Sequence, residues 1–397
     1  MLARGSLVLA SIILARQLDT ADFAAYGYFQ LTVAMLAAYA ALGMGVAASR
    51  LFAEANAGRS RSTPPLGTLW VLSALTGVLM ASVVALIPFS EFSGAPQIPQ
   101  WLLALGVFSV ALGVVPGGAI LGLEQYRQAS VISLLSASIL VGGVVLAAKE
   151  KSAVFGMIVL VASSLVQSAG SAILVLRKVG WPELTLSTNF RRSDFARVFW
   201  LSAPMFAVSL LAASGSWLVG RIILAGPAEE HGFALYTIGL QWFALALFVP
   251  GMISRVLLPV FVKSRFRPAS DDAKNLVRRG AMITLGAAVC IALLGSAASP
   301  WIAGIYGASY QAEAWALASF LLAAIPSAPA NTVGNAIIAG DGQRAWLLIS
   351  LVSFLVLIVS AKLLAWQGAL AGAWAHGISA TFITLIALWI ARGRGLL

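Results

Sequence analysis

Apolar runs of about twenty residues follow one another along almost the whole chain, and no other feature limits its fold so strongly. A run of that length is what a helix needs to cross the hydrocarbon core of a bilayer. Twelve can be read, at roughly 1–17, 23–48, 66–88, 99–121, 130–148, 153–176, 197–224, 233–260, 279–300, 314–338, 345–366 and 368–391. The runs are continuous rather than alternating with period two, which favours helices over a barrel. They leave no stretch long enough for a globular domain outside the membrane. Charged residues make up only 10% of the chain, against about 25% in soluble domains. The sequence therefore predicts an all-α, polytopic integral membrane protein of about twelve transmembrane helices.

A formal charge of +11 in a soluble chain would suggest a nucleic-acid partner. Its distribution points elsewhere. Nineteen of the 25 Lys and Arg fall at the termini or in the connections that follow even-numbered spans, and only Arg16, Lys149, Lys151 and Lys362 lie on the opposite side. That bias predicts cytoplasmic termini and cytoplasmic even-numbered loops, with anionic lipid as a secondary attraction. No nucleic-acid partner is expected. The largest loops, 177–197 and 262–279, fall on the cytoplasmic side, whereas Glu91 to Pro99 and Gly226 to Gly232 carry no Lys or Arg and face outward.

The chain also repeats itself. IILARQLDTADFAAY (Ile12 to Tyr26) returns as IILAGPAEEHGFALY (Ile222 to Tyr236), identical at seven of fifteen positions and displaced by 210 residues. AILGLEQYR (Ala119 to Arg127) returns as AIIAGDGQR (Ala336 to Arg344), displaced by 217, with Glu124 and Asp341 each three residues before an arginine. Two matches in the same order at nearly the same displacement imply a duplicated unit of about two hundred residues. The expected domains are a six-helix bundle at 1–176, a cytoplasmic linker at 177–197 and a second bundle at 198–397. An even number of spans per half gives both halves one orientation, and a crevice between them is the expected site.

Few residues could carry chemistry. Arg221 and Arg255 fall inside spans, where an arginine costs roughly 2.5–3.5 kcal/mol unless water, protein or an anion receives it. Each can either snorkel to the nearer interface or line a wet cavity. Arg16 and Arg50 stand at span ends, where interface placement is the simpler reading. Gln30, Gln241, Gln167, Asn331 and Asn335 must either bond across helices or face water. Trp217, Trp242, Tyr26 and Tyr236 could stack on sugar rings, whereas interfacial belts account for Trp101, Trp301, Trp346 and Trp366 and extend to Tyr26 and Tyr236 as an alternative. The two histidines, His231 and His376, stand far apart in sequence, and the single Cys290 reads as a small apolar residue. No HExxH, paired-carboxylate cluster or phosphate-cradling glycine loop occurs, so neither a catalytic centre, a metal nor a cofactor is expected.

The run Ile12 to Glu54, with RIILAG, GFALYTIGLQW, LLPVFVKSR, WIAGIYGASYQAEAWAL and ANTVGNAIIAGDGQR in the second half, resembles the polysaccharide-exporting flippases of the multidrug/oligosaccharidyl-lipid/polysaccharide (MOP) superfamily, in particular the O-antigen branch. The resemblance covers nearly the whole chain. It implies two six-helix bundles around an alternately opening cavity lined by spans one, two, seven and eight. The transported species would be an oligosaccharide on an undecaprenyl diphosphate carrier, moved from the cytoplasmic to the outer leaflet. Polysaccharide polymerase and glycosyltransferases would be further partners. On that resemblance Arg221 and Arg255, with Arg16 and Arg50, would attract the diphosphate, because the planar guanidinium fork keeps its charge and donates in pairs. Gln30, Gln241, Trp217 and Trp242 would contact sugars.

Two other classes remain open at this stage. A cation-coupled drug or metabolite antiporter of the same superfamily would require an acid buried in a span. A membrane-embedded glycosyl or acyl transferase would require clustered His, Asp or Glu at a membrane face.

Overall fold

The computed structural model describes residues 2–56, 66–86, 98–180, 192–265, 271–340 and 342–396. Most of the 177–197 loop, the outward loop after the third span and Asp341 therefore lie outside the described residues. The chain divides into two compact units, Met1–Ala213 and Ser214–Leu397.

The first unit holds α1 (Leu2–Gln17), α2 (Thr20–Ala41), α3 (Met44–Asn56), α4 (Leu66–Leu86), α5 (Gln100–Gly122), α6 (Tyr126–Lys149) and α7 (Ala153–Val179). Helix α8 (Arg192–Leu224) runs across the division. The second unit continues with α9 (Glu229–Ala246), α10 (Phe248–Arg265), α11 (Asp271–Ala297), the short α12 (Ser299–Tyr306) and α13 (Ala308–Gln311), then α14 (Ala314–Ala339), α15 (Gln343–Leu363) and α16 (Ala369–Gly393). Among the described residues eleven helical segments are long and apolar enough to cross a membrane. Helix α1 is shorter, its apolar part running only from Gly5 to Gln17.

One predicted span proves to be broken, and another carries a single turn residue while its backbone stays right-handed. The second divides at Leu42–Gly43, both in left-handed conformation with φ of 44° and 71°. Gly43 adopts that conformation freely, whereas Leu42 is held there against its β-carbon. The eighth carries its turn residue at Leu247, between α9 and α10. Gly43 is the one mark of the break in the run, since Leu42 is a residue that would ordinarily continue a helix.

Each unit is built around one central helix. In the first, α5 packs against α2, α3, α4 and α7; in the second, α14 packs against α9, α10, α11 and α16. Helix packing inside a membrane gains little from hydrophobicity, so close backbone approach and interhelical hydrogen bonds must supply it. Both are present. A β-carbon on Gly118 of α5 would fall onto the Gly45 carbonyl of α3, and one on Gly122 onto the Ser49 carbonyl one turn along. These four small residues, two per helix at spacing four, let α3 and α5 meet backbone to backbone.

The hydrogen bonds are duplicated. Ser136 of α6 and Ser163 of α7 each donate to the other's backbone carbonyl, at 2.9 and 3.0 Å, with their hydroxyls 2.9 Å apart. Ser353 of α15 and Ser379 of α16 do the same in the second unit, with the hydroxyls 2.6 Å apart. Ser168 of α7 donates to the Ser109 carbonyl of α5 at 2.7 Å, and Thr384 of α16 donates to the Pro326 carbonyl of α14 at 2.6 Å. Each member is displaced from its counterpart by 216 or 217 residues, the displacement of the second sequence match. The repeat is therefore written in tertiary hydrogen bonds as well as in sequence.

The first match reports packing too. Of its identical positions Leu14, Phe23, Ala24 and Tyr26 are fully buried, as are Ile223, Phe233, Ala234 and Tyr236 in the second copy. Tyr236 donates to the Ser216 carbonyl at 2.7 Å. The expectation that Tyr26 and Tyr236 belong to an interfacial belt is thereby corrected: both rings are core residues. Trp101, Trp301 and Trp366 are exposed as a belt requires, but Trp346 is buried against Gly334.

Candidate functional site

The residues predicted to meet substrate distribute over both units. Arg16 is exposed in the last turn of α1, and Gln30 is half-buried in α2. Arg221 is half-buried in the last turn of α8 and engages neighbouring groups. Trp217, one turn earlier, shares its helix face and is half-buried as well. The side chains of Arg50 and Arg255 lie outside the described residues, though both backbones are helical. Gln241 and Trp242 are half-buried neighbours on α9.

Trp242 is fixed rather than free to turn. Its indole nitrogen donates to the Tyr306 hydroxyl at 2.9 Å, and its ring packs on the cluster of Ala246, Leu321 and Ala324. Burial raises the Tyr306 phenol well above its ordinary range, so it stays protonated and keeps its own O–H donor while accepting this bond. Of the other polar span residues, Asn335 donates to the Ser254 hydroxyl at 2.8 Å and so ties α14 to α10. Asn331 is exposed.

Three features were not singled out from sequence. The first is a cavity of about 370 Å³ inside the first unit, between α1, α5, α6 and α7. Its polar side chains are Ser6, Ser136, Ser163, Ser164, Gln167, Ser168 and Ser171, and no ionisable group lines it. The Oε1 atom of Gln167 is buried and accepts no hydrogen bond. The sequence did hold a signal, since Ser164, Gln167, Ser168 and Ser171 repeat at helical spacing along one face of α7.

The second is a shallower concavity of about 620 Å³ in the second unit, where Trp315, Trp366 and Trp374 surround Pro227, Ala228 and Gln367. The third lies beside the start of α9. His231 Nε2 is 2.6 Å from Glu313 Oε1, and the imidazole stacks on Tyr310 at 5.6 Å with an interplanar angle of 8°. His376 is remote from it and buried, with Nδ1 2.8 Å from the Gly372 carbonyl and aromatic neighbours Tyr236, Phe243 and Phe320. Among the described residues no group of three His, Cys, Asp or Glu could hold a metal ion.

Comparison with known proteins places this geometry in a family. Residues 2–265 match the model of the family described as "Polysaccharide biosynthesis protein". The chain is similar to the EPS I polysaccharide export inner membrane protein EpsE of Ralstonia nicotianae, with 21% identity over 338 residues, covering 81% of this chain and 74% of that protein. The EpsE of Ralstonia solanacearum is 22% identical with the same coverage. Among solved structures, an inward-facing multidrug resistance MATE family transporter of the MOP superfamily superposes with a TM-score of 0.80 at 14% identity, over 99% of this chain and 94% of that one. The outward-facing form of a MATE family transporter gives 0.74 at 13%, over 100% and 93%. A point mutant of the Vibrio cholerae MATE transporter VcmN gives 0.67 at 17%, over 100% and 95%. The fold is thus that of the MOP superfamily, and the chain belongs to the polysaccharide biosynthesis protein family of multi-pass membrane transporters.

Proposed function

We propose that the protein is a flippase for lipid-linked oligosaccharide. It moves a glycan on undecaprenyl diphosphate from the cytoplasmic to the outer leaflet of the bacterial inner membrane by alternating access, for surface polysaccharide synthesis. The observation that carries this reading is the charge of the spans within a polysaccharide-family fold. Every Asp or Glu in the eleven spans sits in a first helical turn, so no acid lies deep within a span, while Arg221 sits in the last turn of one span and Arg255 directly follows the end of another. A cation-exchanging antiporter would need an acid deep within a span. An anionic diphosphate is served by cations at span ends.

On this reading the six-span halves are 1–176 and 198–397 with the linker between, and both termini are cytoplasmic. Arg221 and Arg255, with Arg16 and Arg50, draw in the diphosphate, and Gln30, Gln241, Trp217 and Trp242 meet the sugars. The polyprenyl tail stays in lipid, because removing it would forfeit about 0.8 kcal/mol per CH₂. Polymerase and glycosyltransferases act before and after it.

The test is Arg221→Ala and Arg255→Ala, singly and together, in cells depleted of the wild-type chain. Lipid-linked glycan should accumulate on the inner leaflet while the variants remain folded in the membrane. Undiminished transport by the double variant refutes the diphosphate path.

A further inference from the structure

We infer that the serine- and glutamine-lined cavity of the first unit is a binding subsite for one uncharged sugar residue of the transported glycan, an inference that rests on the flippase reading above.

Comparison of the two halves carries the argument. The hydrogen bonds that fix α7 in its unit and α16 in the other align Ser163 with Ser379 and Ser168 with Thr384. In that register Ser164, Gln167 and Ser171 correspond to Ala380, Ile383 and Ala387. The second half therefore builds the same helix packing with apolar side chains at all three positions. Packing does not require the polar groups of the first half. Helix α5 shows the same difference from the other side. A β-carbon on Gly117, which lines the cavity, would meet nothing within 4 Å, whereas its counterpart Gly334 is covered by the ring of Trp346. The second half has filled the space with an indole; the first has kept it open and lined it with hydroxyls and an amide.

An open polar space inside a bundle is costly unless something satisfies its groups. Gln167 Oε1 is buried with no donor. The lining defines what could serve. Without a cation it offers nothing to a phosphate, and without a carboxylate nothing to an amine. Ser136, Ser163, Ser164 and Ser168 spend their donors on backbone carbonyls, Ser164 on Leu160 at 2.9 Å, so with Gln167 Oε1 the lining chiefly offers acceptor oxygens, which sugar hydroxyls and an N-acetyl N–H can meet as donors. The volume of about 370 Å³ lies at the small end of ligand pockets, room for a single ring rather than a chain. The substrate would then be held at several points, its charge by the arginines, one neutral ring by this subsite and its other sugars by Gln30, Gln241, Trp217 and Trp242.

The experiment uses the purified full-length chain in lipid nanodiscs and measures equilibrium binding of radiolabelled methyl glucoside and N-acetylglucosamine, with glucuronate as the charged control. The wild type should bind at least one neutral sugar, with a dissociation constant on the order of 10 mM or tighter, and not the uronate. Ser164→Ala/Gln167→Ile/Ser171→Ala, which installs the second half's residues, should weaken binding about tenfold or more. Gln167→Met, which keeps the side chain's length and removes its amide, should weaken it in the same direction. No neutral-sugar binding by the wild type, or equal binding by folded variants, overturns the proposal and indicates a cavity that holds water only. Arg221→Ala/Arg255→Ala separates the two readings. That variant should bind neutral sugar as the wild type does while losing transport. Normal flipping by a wild type that binds no neutral sugar would remove the subsite and leave the flippase.

Discussion

Gly117 and Gly118 are neighbours on α5, and replacing each with alanine should have opposite effects. Alanine exceeds glycine in helix propensity by roughly 1 kcal/mol, and that gain is common to both variants. It cancels when the two are compared. At Gly117 the added methyl meets no atom within 4 Å. At Gly118 it collides with the Gly45 carbonyl, with Gly45 Cα 3.0 Å away, so the obstruction is backbone rather than the mobile end of a side chain. Helices α3 and α5 would have to separate along the Gly45/Ser49 face, also disturbing the contact at Gly122. Overpacking of this kind costs about 1–3 kcal/mol, and the absence of a yielding side chain places Gly118→Ala at the upper end. The difference between the variants should be about 2–3 kcal/mol. For a cooperative unit of some two hundred residues that is about 4–12 °C in Tm. The assay is thermal unfolding in one detergent, followed by loss of the monodisperse species. A Gly118→Ala protein as stable as Gly117→Ala would refute the claim that α3 and α5 meet through their backbones.

Tyr26 and Tyr236 are equivalent in the repeat but not in bonding. Tyr236→Phe should cost about 1–2 kcal/mol by removing the donor to Ser216, while Tyr26→Phe, whose buried hydroxyl has no partner, should be neutral or mildly stabilising in the same unfolding assay. The His231–Glu313 pair is 37% and 39% exposed, so a double-mutant cycle should assign it under about 1 kcal/mol; a larger coupling would show that the Tyr310 stack makes the pair rigid.

The placement of the helices was legible in the apolar runs, because lipid imposes a length on every span. α5, α7, α14 and α16 begin and end within about three residues of their predicted limits. What the runs could not show was where a span bends. Leu42 is as apolar as its neighbours, and its left-handed conformation is imposed from outside the local sequence. Burial misled in the same way. Tyr26, Tyr236 and Trp346 have the chemistry of interfacial residues, and only tertiary packing reveals that Gly156, Gly372 and Gly334 stand against their rings in the core. The serine face of α7 was present in the sequence at helical spacing, yet uncharged residues attract less notice than arginines in an apolar chain. Its meaning depended on a comparison the sequence alone could not align, since the register of α7 against α16 is set by hydrogen bonds that differ in residue type at Ser168 and Thr384.

The paired serines of α6–α7 and α15–α16 bear on motion. Sliding one helix past the other would break both interhelical hydrogen bonds of a pair at once, about 0.6 kcal/mol each by the mean for membrane helices. Each hairpin therefore resists shear along its length and moves more readily as a whole. Any cycle of opening and closing would flex more readily in helices that lack such cross-ties, and the left-handed pair Leu42–Gly43 is where one of them is already interrupted.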